Sequence, residues 1–127
     1  MHDYIFTDQA PSVVGPYSQA VKAKGQSMLF VSGQIPLDPK SMQVASPNVK
    51  EQTQTVLKNL AAILRASGAT HEHVVKTTVY LKDMNDFAVM NAEYSIFFSE
   101  HKPARVCVEV ARLPKDVLVE IDAIAVI

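Results

Sequence analysis

The fold follows from the stretch PARVCVEVARLPKD, residues 103–116, together with VLVEIDAIAV, residues 117–126. Alternating runs flank Leu113-Pro114-Lys115-Asp116, whose proline and aspartate are typical turn residues. We therefore predict two strands joined by a short turn.

Each of these strands has one apolar face and one face that carries ionisable groups. Side chains alternate along a strand, so Arg105 and Cys107 share a face, while Val106 points the other way, which we expect to be the core. In the second strand Glu120 and Asp122 lie among apolar residues. Because a solvated strand face normally holds more Lys, Thr and Ser, we interpret this pattern as a semi-enclosed polar site.

Composition limits the class of protein. The chain has 127 residues, of which 48% are hydrophobic and 20% charged, which is typical of one soluble globular domain, residues 1–127. The net charge of −1 argues against a general nucleic-acid binder. A single cysteine allows no internal disulfide, and neither a signal peptide nor a membrane span is evident, so we expect a cytoplasmic protein without membrane contact.

The first part of the chain predicts short strands and an irregular loop. Residues 4–6 are a strand candidate, and two prolines and a glycine mark residues 10–17 as a loop. Residues 18–24 and 28–33 predict a hairpin around the connection at 25–27.

Two amphipathic helices flank a further strand. The first helix begins either at Ser46 with Pro47 or at Asn48, and it ends near Gly68 after about five turns. Residues 73–82 are rich in β-branched side chains and predict a strand. Residues 83–86 cap the second helix, whose predicted buried stripe contains Phe87, Met90, Tyr94, Phe97 and Phe98.

This order predicts an α+β sandwich, a mixed sheet with both helices on one face. The strand–helix–strand unit indicates a parallel, right-handed crossover. The strands at 28–33 and 73–82 are apolar on both faces, and two helices cover only one face. We therefore expect a homo-oligomer, with Arg105, Cys107 and Glu120 facing the interface.

Metal and nucleotide sites are not indicated. His71 and His73 stand at a loop–strand junction, and His2 and His101 have no ligand partner nearby in the sequence, so surface histidines are favoured over a metal site. The sequence has no glycine-rich phosphate loop.

Three side chains near the C-terminus, Arg105, Cys107 and Glu120, each allow more than one chemical role. Cys107 as a nucleophile needs a base; Arg105 on the same face would lower its pKa, but no histidine is placed to help, so a structural cysteine is favoured. Arg105 and Glu120 also have two interpretations. They form either a buried ion pair or a site in which Arg105 binds a carboxylate and Glu120 acts as an acid or base.

Three more residues have both a structural and a functional interpretation. Tyr17 follows Pro16 and either anchors its loop by packing or is presented to a ligand. Gly33 either forms a bulge or brings a backbone N–H close to a ligand. Asn91 lies near the buried helix face, where it either bonds a neighbouring loop or belongs to a site.

Together these segments resemble the RidA family, also called YjgF or reactive intermediate deaminase A. The resemblance rests on residues 103–114 with 119–121, and on GPYSQA at 15–20, VSGQIP at 31–36 and VKTTVYLKDM at 75–84. It runs nearly end to end, with the motifs in the expected order. It implies a chorismate-mutase-like fold and a homotrimer with ligand clefts between subunits.

The resemblance also implies an activity that uses no cofactor. Such proteins hydrolyse enamine and imine intermediates, among them 2-aminoacrylate, 2-iminopropanoate and 2-iminobutanoate, to 2-keto acids and ammonia. Pyridoxal-phosphate dehydratases release these intermediates. Similar proteins have also been described as endoribonucleases or translation inhibitors, against which the charge and the lack of a histidine pair argue. A non-catalytic, ligand-binding trimer is a third possibility.

The resemblance assigns roles residue by residue. Arg105 would hold the substrate carboxylate in bidentate fashion, and Glu120 would position or activate the attacking water. The Cys107 backbone and the Gly33 N–H would contact the substrate, and Tyr17 would close the cleft from a neighbouring subunit. The remaining two residues line or support the cleft: Ser32 and Asn91.

Overall fold

The computed structural model describes all 127 residues as a four-stranded mixed sheet with two helices on one face, beside a two-stranded ribbon. The elements are β1 Asp3–Ile5, β2 Ala20–Lys22, β3 Met28–Gln34, α1 Val49–Ala66, β4 Val74–Leu81, α2 Phe87–Phe97, β5 Ala104–Glu109 and β6 Val119–Val126. The α+β class and the order of elements predicted from the sequence are confirmed.

The sheet has the order β3-β6-β4-β5. The β4 and β5 strands are parallel, as predicted for a strand–helix–strand unit, and β6 runs antiparallel to both β3 and β4. The two C-terminal strands are joined by a 3₁₀ turn at Pro114–Asp116, but β4 lies between them. That turn holds Lys115 and Asp116 at φ of 56° and 55°, and Arg112 bonds the Asp116 carboxylate through two nitrogens, at 2.7 and 3.1 Å.

The hairpin predicted between residues 18–24 and 28–33 is wrong. The β2 strand pairs with β1, with Tyr4 opposite Val21, and β3 pairs with β6 instead. Ser27, in the expected turn, exchanges backbone hydrogen bonds with Ile127 at 3.0 and 2.9 Å. The glycine-containing connection therefore passes the chain from the ribbon to the sheet.

Side-chain caps define where the helices begin. Of the two predicted starts for α1, Asn48 is correct, because its Oδ1 accepts a hydrogen bond from the Glu51 N–H at 2.9 Å. The helix ends at Ala66 with Ser67 as its C-cap, and Gly68 follows with a left-handed φ of 77°. Asp83 caps the 3₁₀ turn that leads into α2. Neither helix has the length and apolarity needed to cross a membrane.

The core lies between the helices and one face of the sheet. Met90, Tyr94 and Phe98 are fully buried, as the predicted stripe requires, and they pack in one cluster with alternate residues of β4 and β6. The other sheet face, here called the open face, exposes apolar side chains: Met28, Phe30, Val106 and Val108. Val106 is 42% exposed, so the prediction that it points to the core is wrong. The alternation along β5 was right, but Arg105 and Cys107 take the side of the helices.

Candidate functional site

Arg105 lies between the edge strand β5 and the helix α2. On the sheet it is paired with Thr77 of β4, and both side chains face the helices. The Asn91 Oδ1 atom on α2 accepts a hydrogen bond from the Arg105 Nη1 at 2.7 Å. The position of Asn91 near the buried face predicted that its amide needs a hydrogen-bond partner, and it has one. This partner is a strand residue and not a loop.

Three aromatic rings surround the Arg105 guanidinium. Its carbon lies 4.8 Å from the ring centroid of Tyr94, 5.5 Å from that of Phe87 and 5.6 Å from that of Tyr17. None of the three ion pairs in the chain involves Arg105. A half-buried cation without a carboxylate partner is a ready receptor for an anion.

The loop before β2 holds Tyr17 beside Arg105. The Tyr17 N–H bonds the Gly15 carbonyl at 2.9 Å, and its phenol oxygen accepts a hydrogen bond from the Val14 N–H at 3.2 Å. A Cβ on Gly15 would lie 3.6 Å from the Arg105 Nη2. Tyr17 therefore covers the Arg105 of its own chain. That it also closes a cleft against a neighbouring subunit stays a prediction.

Cys107 lies on the same face of β5, two residues beyond Arg105, and packs against the core cluster. Burial raises the pKa of its thiol and outweighs the opposing effect of Arg105. Arg105 does lower the pKa of this thiol, as expected, but the larger effect of burial makes the net shift upward. A protonated thiol without a base is a poor nucleophile, so Cys107 is a wall of the site.

Glu120 lies on the opposite face of the sheet. On β4, Glu120 is paired with Tyr80 and Arg105 with Thr77; these partners are three residues apart, so they point to opposite faces. The prediction that Arg105, Cys107 and Glu120 share one uncovered face is wrong for the first two. Only Glu120 faces the open side.

Gly33 makes room for the Glu120 carboxylate. The register of β3 against β6 shifts between Val31 and Gln34, which places Ser32 and Gly33 in a bulge. A Cβ on Gly33 would overlap the Glu120 Oε2 atom. Of the two alternatives that the sequence left for Gly33, the bulge is confirmed, and the contact of its N–H with a ligand stays a prediction.

Two effects raise the pKa of the Glu120 carboxyl: first its burial, then the negative charge of Asp122. The Asp122 carboxylate itself accepts hydrogen bonds from the Tyr80 hydroxyl at 3.0 Å and from the Thr78 N–H at 3.2 Å. Glu120 has no such partner and remains available to exchange a proton with a ligand or water.

The seven site residues predicted from the sequence therefore form two groups within one chain. The arginine group, on the helix side, consists of Tyr17, Asn91, Arg105 and Cys107. The glutamate group, on the open side, consists of Ser32, Gly33 and Glu120.

Sequence reasoning missed three residues of the arginine group's surroundings: Thr77, Phe87 and Tyr94. The sequence pattern shows Tyr94 and Phe87 only as members of an apolar stripe. The available signal was the phenol of Tyr94, because a polar tip in a buried stripe requires a hydrogen-bond partner.

The four histidines do not form a metal centre. The His2 Nδ1 accepts a hydrogen bond from the Lys24 N–H at 3.0 Å, and its Nε2 lies 3.2 Å from the His73 carbonyl oxygen. His73 in turn accepts a hydrogen bond from the Thr70 N–H. No group of three or more His, Cys, Asp or Glu side chains in the chain is arranged to hold a metal ion.

Replacing Gly33 with alanine is expected to disrupt the glutamate group without unfolding the chain. The added methyl group occupies the place of the Glu120 carboxylate, which must rotate away. Because Gly33 is exposed, we expect a change in melting temperature of only a few degrees, and a fall of about tenfold or more in any activity that depends on Glu120. Gly68→Ala, at a site with free space but a left-handed φ, is a comparison in which only stability should change.

Comparison with known proteins identifies the relatives of this chain. The sequence model of the family described as Endoribonuclease L-PSP matches residues 7–127. A RutC family protein of Pyrococcus horikoshii is 58% identical over 125 residues, which cover 98% of each chain. A 2-iminobutanoate/2-iminopropanoate deaminase of Salmonella typhimurium is 53% identical, with 99% of this chain and 98% of that protein covered.

Among solved structures, Escherichia coli TdcF with bound serine matches with a TM-score of 0.76 and 44% identity over 98% of each chain. The resemblance inferred from the sequence motifs is thereby confirmed over nearly the full length, and the chain belongs to the RidA/YjgF family.

Proposed function

We propose that this protein is a 2-iminobutanoate/2-iminopropanoate deaminase that acts as a homotrimer, with a cleft between each pair of subunits. The observation that carries the proposal is Arg105, a guanidinium fixed in place with no carboxylate of its own. An arginine fork matches the carboxylate of a 2-imino acid through two parallel hydrogen bonds. The relative that bears this enzyme name, at 53% identity, supports the same substrate class.

The positions of Arg105 and Glu120 explain why a single chain is not enough. A 2-imino acid is only a few atoms long, so both residues must reach it at once. Within one chain they lie on opposite faces of the sheet, and Arg105 does not face the open side. Because β5 is an edge strand, a neighbouring copy in the trimer can bring its Glu120 to the first copy's Arg105 across that edge. Each cleft then takes the arginine group from one subunit and the glutamate group from the next.

The open face has the character of an interface. Phe30 is 67% exposed and Met28 62% exposed, and Val106 and Val108 extend the apolar patch across the sheet. A sheet face of this kind is normally covered by another copy of the chain. Three copies that pack these faces around an axis form three equivalent clefts.

In the proposed reaction water adds to the imine carbon and ammonia leaves. The imine reacts as its protonated form. Glu120 accepts a proton from the water as the water oxygen bonds to C2, which gives a neutral carbinolamine, and the carboxyl then returns that proton to the nitrogen. As the C–N bond breaks, the Glu120 carboxylate takes the hydroxyl proton and passes it to the departing ammonia, so a 2-keto acid and an ammonium ion result. Burial and Asp122 raise the pKa of Glu120, which suits a group that must both take and return a proton near neutral pH.

The other residues bind and orient. Asn91 fixes one nitrogen of Arg105, and Tyr17 covers the guanidinium. Ser32 and the Gly33 N–H bound the cleft beside Glu120, and the Cys107 backbone lies beside the imine end. Such a site accelerates the reaction by orientation and by the placement of charge.

A coupled assay tests the function. Serine or threonine dehydratase generates the imine, and its decay is followed by absorbance with and without this protein. We expect faster decay, with 2-iminobutanoate and 2-iminopropanoate both consumed. Unchanged decay of both imines, with 2-oxobutanoate still bound, would instead support a non-catalytic binder. A parallel arm with unstructured RNA tests the nuclease alternative, for which we expect no cleavage.

Placing a charge on the open face is expected to dissociate the assembly. In Phe30→Asp an exposed side chain of the single chain is replaced, so the subunit should fold, but a carboxylate buried without a partner opposes packing. We expect light scattering to give the mass of a trimer for the wild type and of a monomer for the variant. Ile96→Asp on α2, 71% exposed but away from this face, is the matched control and should remain trimeric. A trimeric Phe30→Asp protein would contradict the interface.

A further inference from the structure

Tyr94 connects Arg105 to the interior of the protein. Its side chain is fully buried, and its phenol oxygen lies 2.7 Å from the Thr77 Oγ1. Thr77 is also fully buried and is the residue of β4 paired with Arg105. The three residues close a triangle: the sheet joins Thr77 to Arg105, a hydrogen bond joins Thr77 to Tyr94, and the Tyr94 ring lies against the guanidinium.

We propose that Tyr94, anchored by Thr77, is a positioning residue that fixes the plane of the Arg105 guanidinium for a bidentate carboxylate. This inference rests on the proposed function, because it concerns the same site. Two restraints define the plane of a guanidinium. The Asn91 Oδ1 holds one nitrogen within the plane, and an aromatic face holds the plane itself.

Tyr94 is better suited to this task than the other two rings. Its centroid is nearer the guanidinium carbon, at 4.8 Å against 5.5 and 5.6 Å, and it alone of the three is fully buried. The Tyr94 phenol stays protonated at physiological pH, since burial raises its pKa to about 12. The residue therefore acts through its position and not by transferring a proton.

A set of three variants separates positioning from folding: Thr77→Val, Tyr94→Phe and the double variant. Each single change leaves one buried hydroxyl without its partner, so it should lower the melting temperature. The double variant removes both hydroxyls and keeps both shapes, so stability should largely return. If the hydroxyl pair only stabilises the fold, the double variant should also regain wild-type binding.

We expect that the double variant does not regain wild-type binding. Its Kd for 2-oxobutanoate, measured by calorimetry, should remain raised by about tenfold, and KM for the imine should rise similarly with little change in kcat. Thr53→Val is the matched control. It removes another buried hydroxyl, bonded to the Val49 carbonyl at 2.7 Å within α1, and should leave both constants unchanged.

The binding measurement keeps the two proposals distinguishable. If the wild type binds 2-oxobutanoate but hydrolyses no imine, the deaminase assignment fails while the role of Tyr94 is still tested. Wild-type affinity in the stable double variant overturns the positioning role. A wild type that binds no 2-oxobutanoate overturns both proposals.

Discussion

Arg105→Ala is expected to abolish both the binding of 2-keto acids and the hydrolysis of imines. Truncation removes the only cation of the arginine group and with it the two hydrogen bonds that we propose it makes to the substrate carboxylate. Loss of one partner of a hydrogen-bonded charge pair typically costs about 2–5 kcal/mol, which corresponds to a roughly 30- to 5,000-fold weaker affinity. Calorimetry with 2-oxobutanoate and the coupled dehydratase assay measure the two effects.

Arg105→Lys is the informative comparison. It keeps the positive charge but replaces the planar fork with a single ammonium group, which cannot form the same parallel pair of bonds or the same stack on Tyr94. We expect an intermediate loss of affinity. If lysine restored full affinity, charge alone would suffice and the bidentate role of Arg105 would be wrong.

Glu120→Gln is expected to separate binding from catalysis. Glutamine has the same shape but cannot take a proton from water, so kcat should fall by about 10²- to 10⁴-fold while 2-oxobutanoate binds within a few-fold of the wild-type affinity. The measurement is steady-state kinetics beside calorimetry. A Glu120→Gln enzyme with wild-type kcat would exclude the proposed proton transfer.

We expect the same residue to set the acid limb of the pH profile. Glu120 must be ionised to accept a proton, and its pKa is raised by burial and by Asp122. Activity should therefore decline as pH falls through this raised pKa, at a higher pH than an ordinary glutamate would give. Asp122→Asn removes the second cause and should shift the decline to lower pH.

The sequence was sufficient for the order of elements but not for every pairing. The strands, helices and caps arise from local patterns such as Asn48 with Glu51, which the sequence displays directly. The partner of β3 is β6, almost a hundred residues away, and no local turn signal reports so distant a pairing. The predicted hairpin at 25–27 failed for this reason.

The side of the sheet that each site residue faces was the harder question. Alternation shows that Arg105 and Val106 point in opposite directions, but the apolar face of β5 is the open face, while Arg105 and Cys107 on its more polar face meet the helices. A strand of this kind does not reveal which face meets the helices. A sheet face that forms a subunit interface is as apolar as a face in the core. The same apolar residues therefore led both to the wrong direction for Val106 and to the expectation of an oligomer.

Sequence motifs identify the site residues, but only the fold shows which of them lie together. Gly33 and Glu120 are 87 positions apart in the chain, yet the bulge in β3 places one against the other. Thr77 lies in the motif at 75–84 and Tyr94 in the predicted buried stripe, but neither pattern indicated a role beside Arg105. Their role arises only from the register that sets Thr77 beside Arg105.

The most direct test of the shared cleft is complementation between two inactive variants. Differently tagged Arg105→Ala and Glu120→Gln chains are unfolded, mixed in equal amounts and refolded together, and the mixture is assayed for imine hydrolysis. If each cleft takes Arg105 from one subunit and Glu120 from the next, random assembly restores about a quarter of the wild-type activity. A refolded mixture no more active than either parent would contradict the account, because both residues would then have to act from the same chain or not at all.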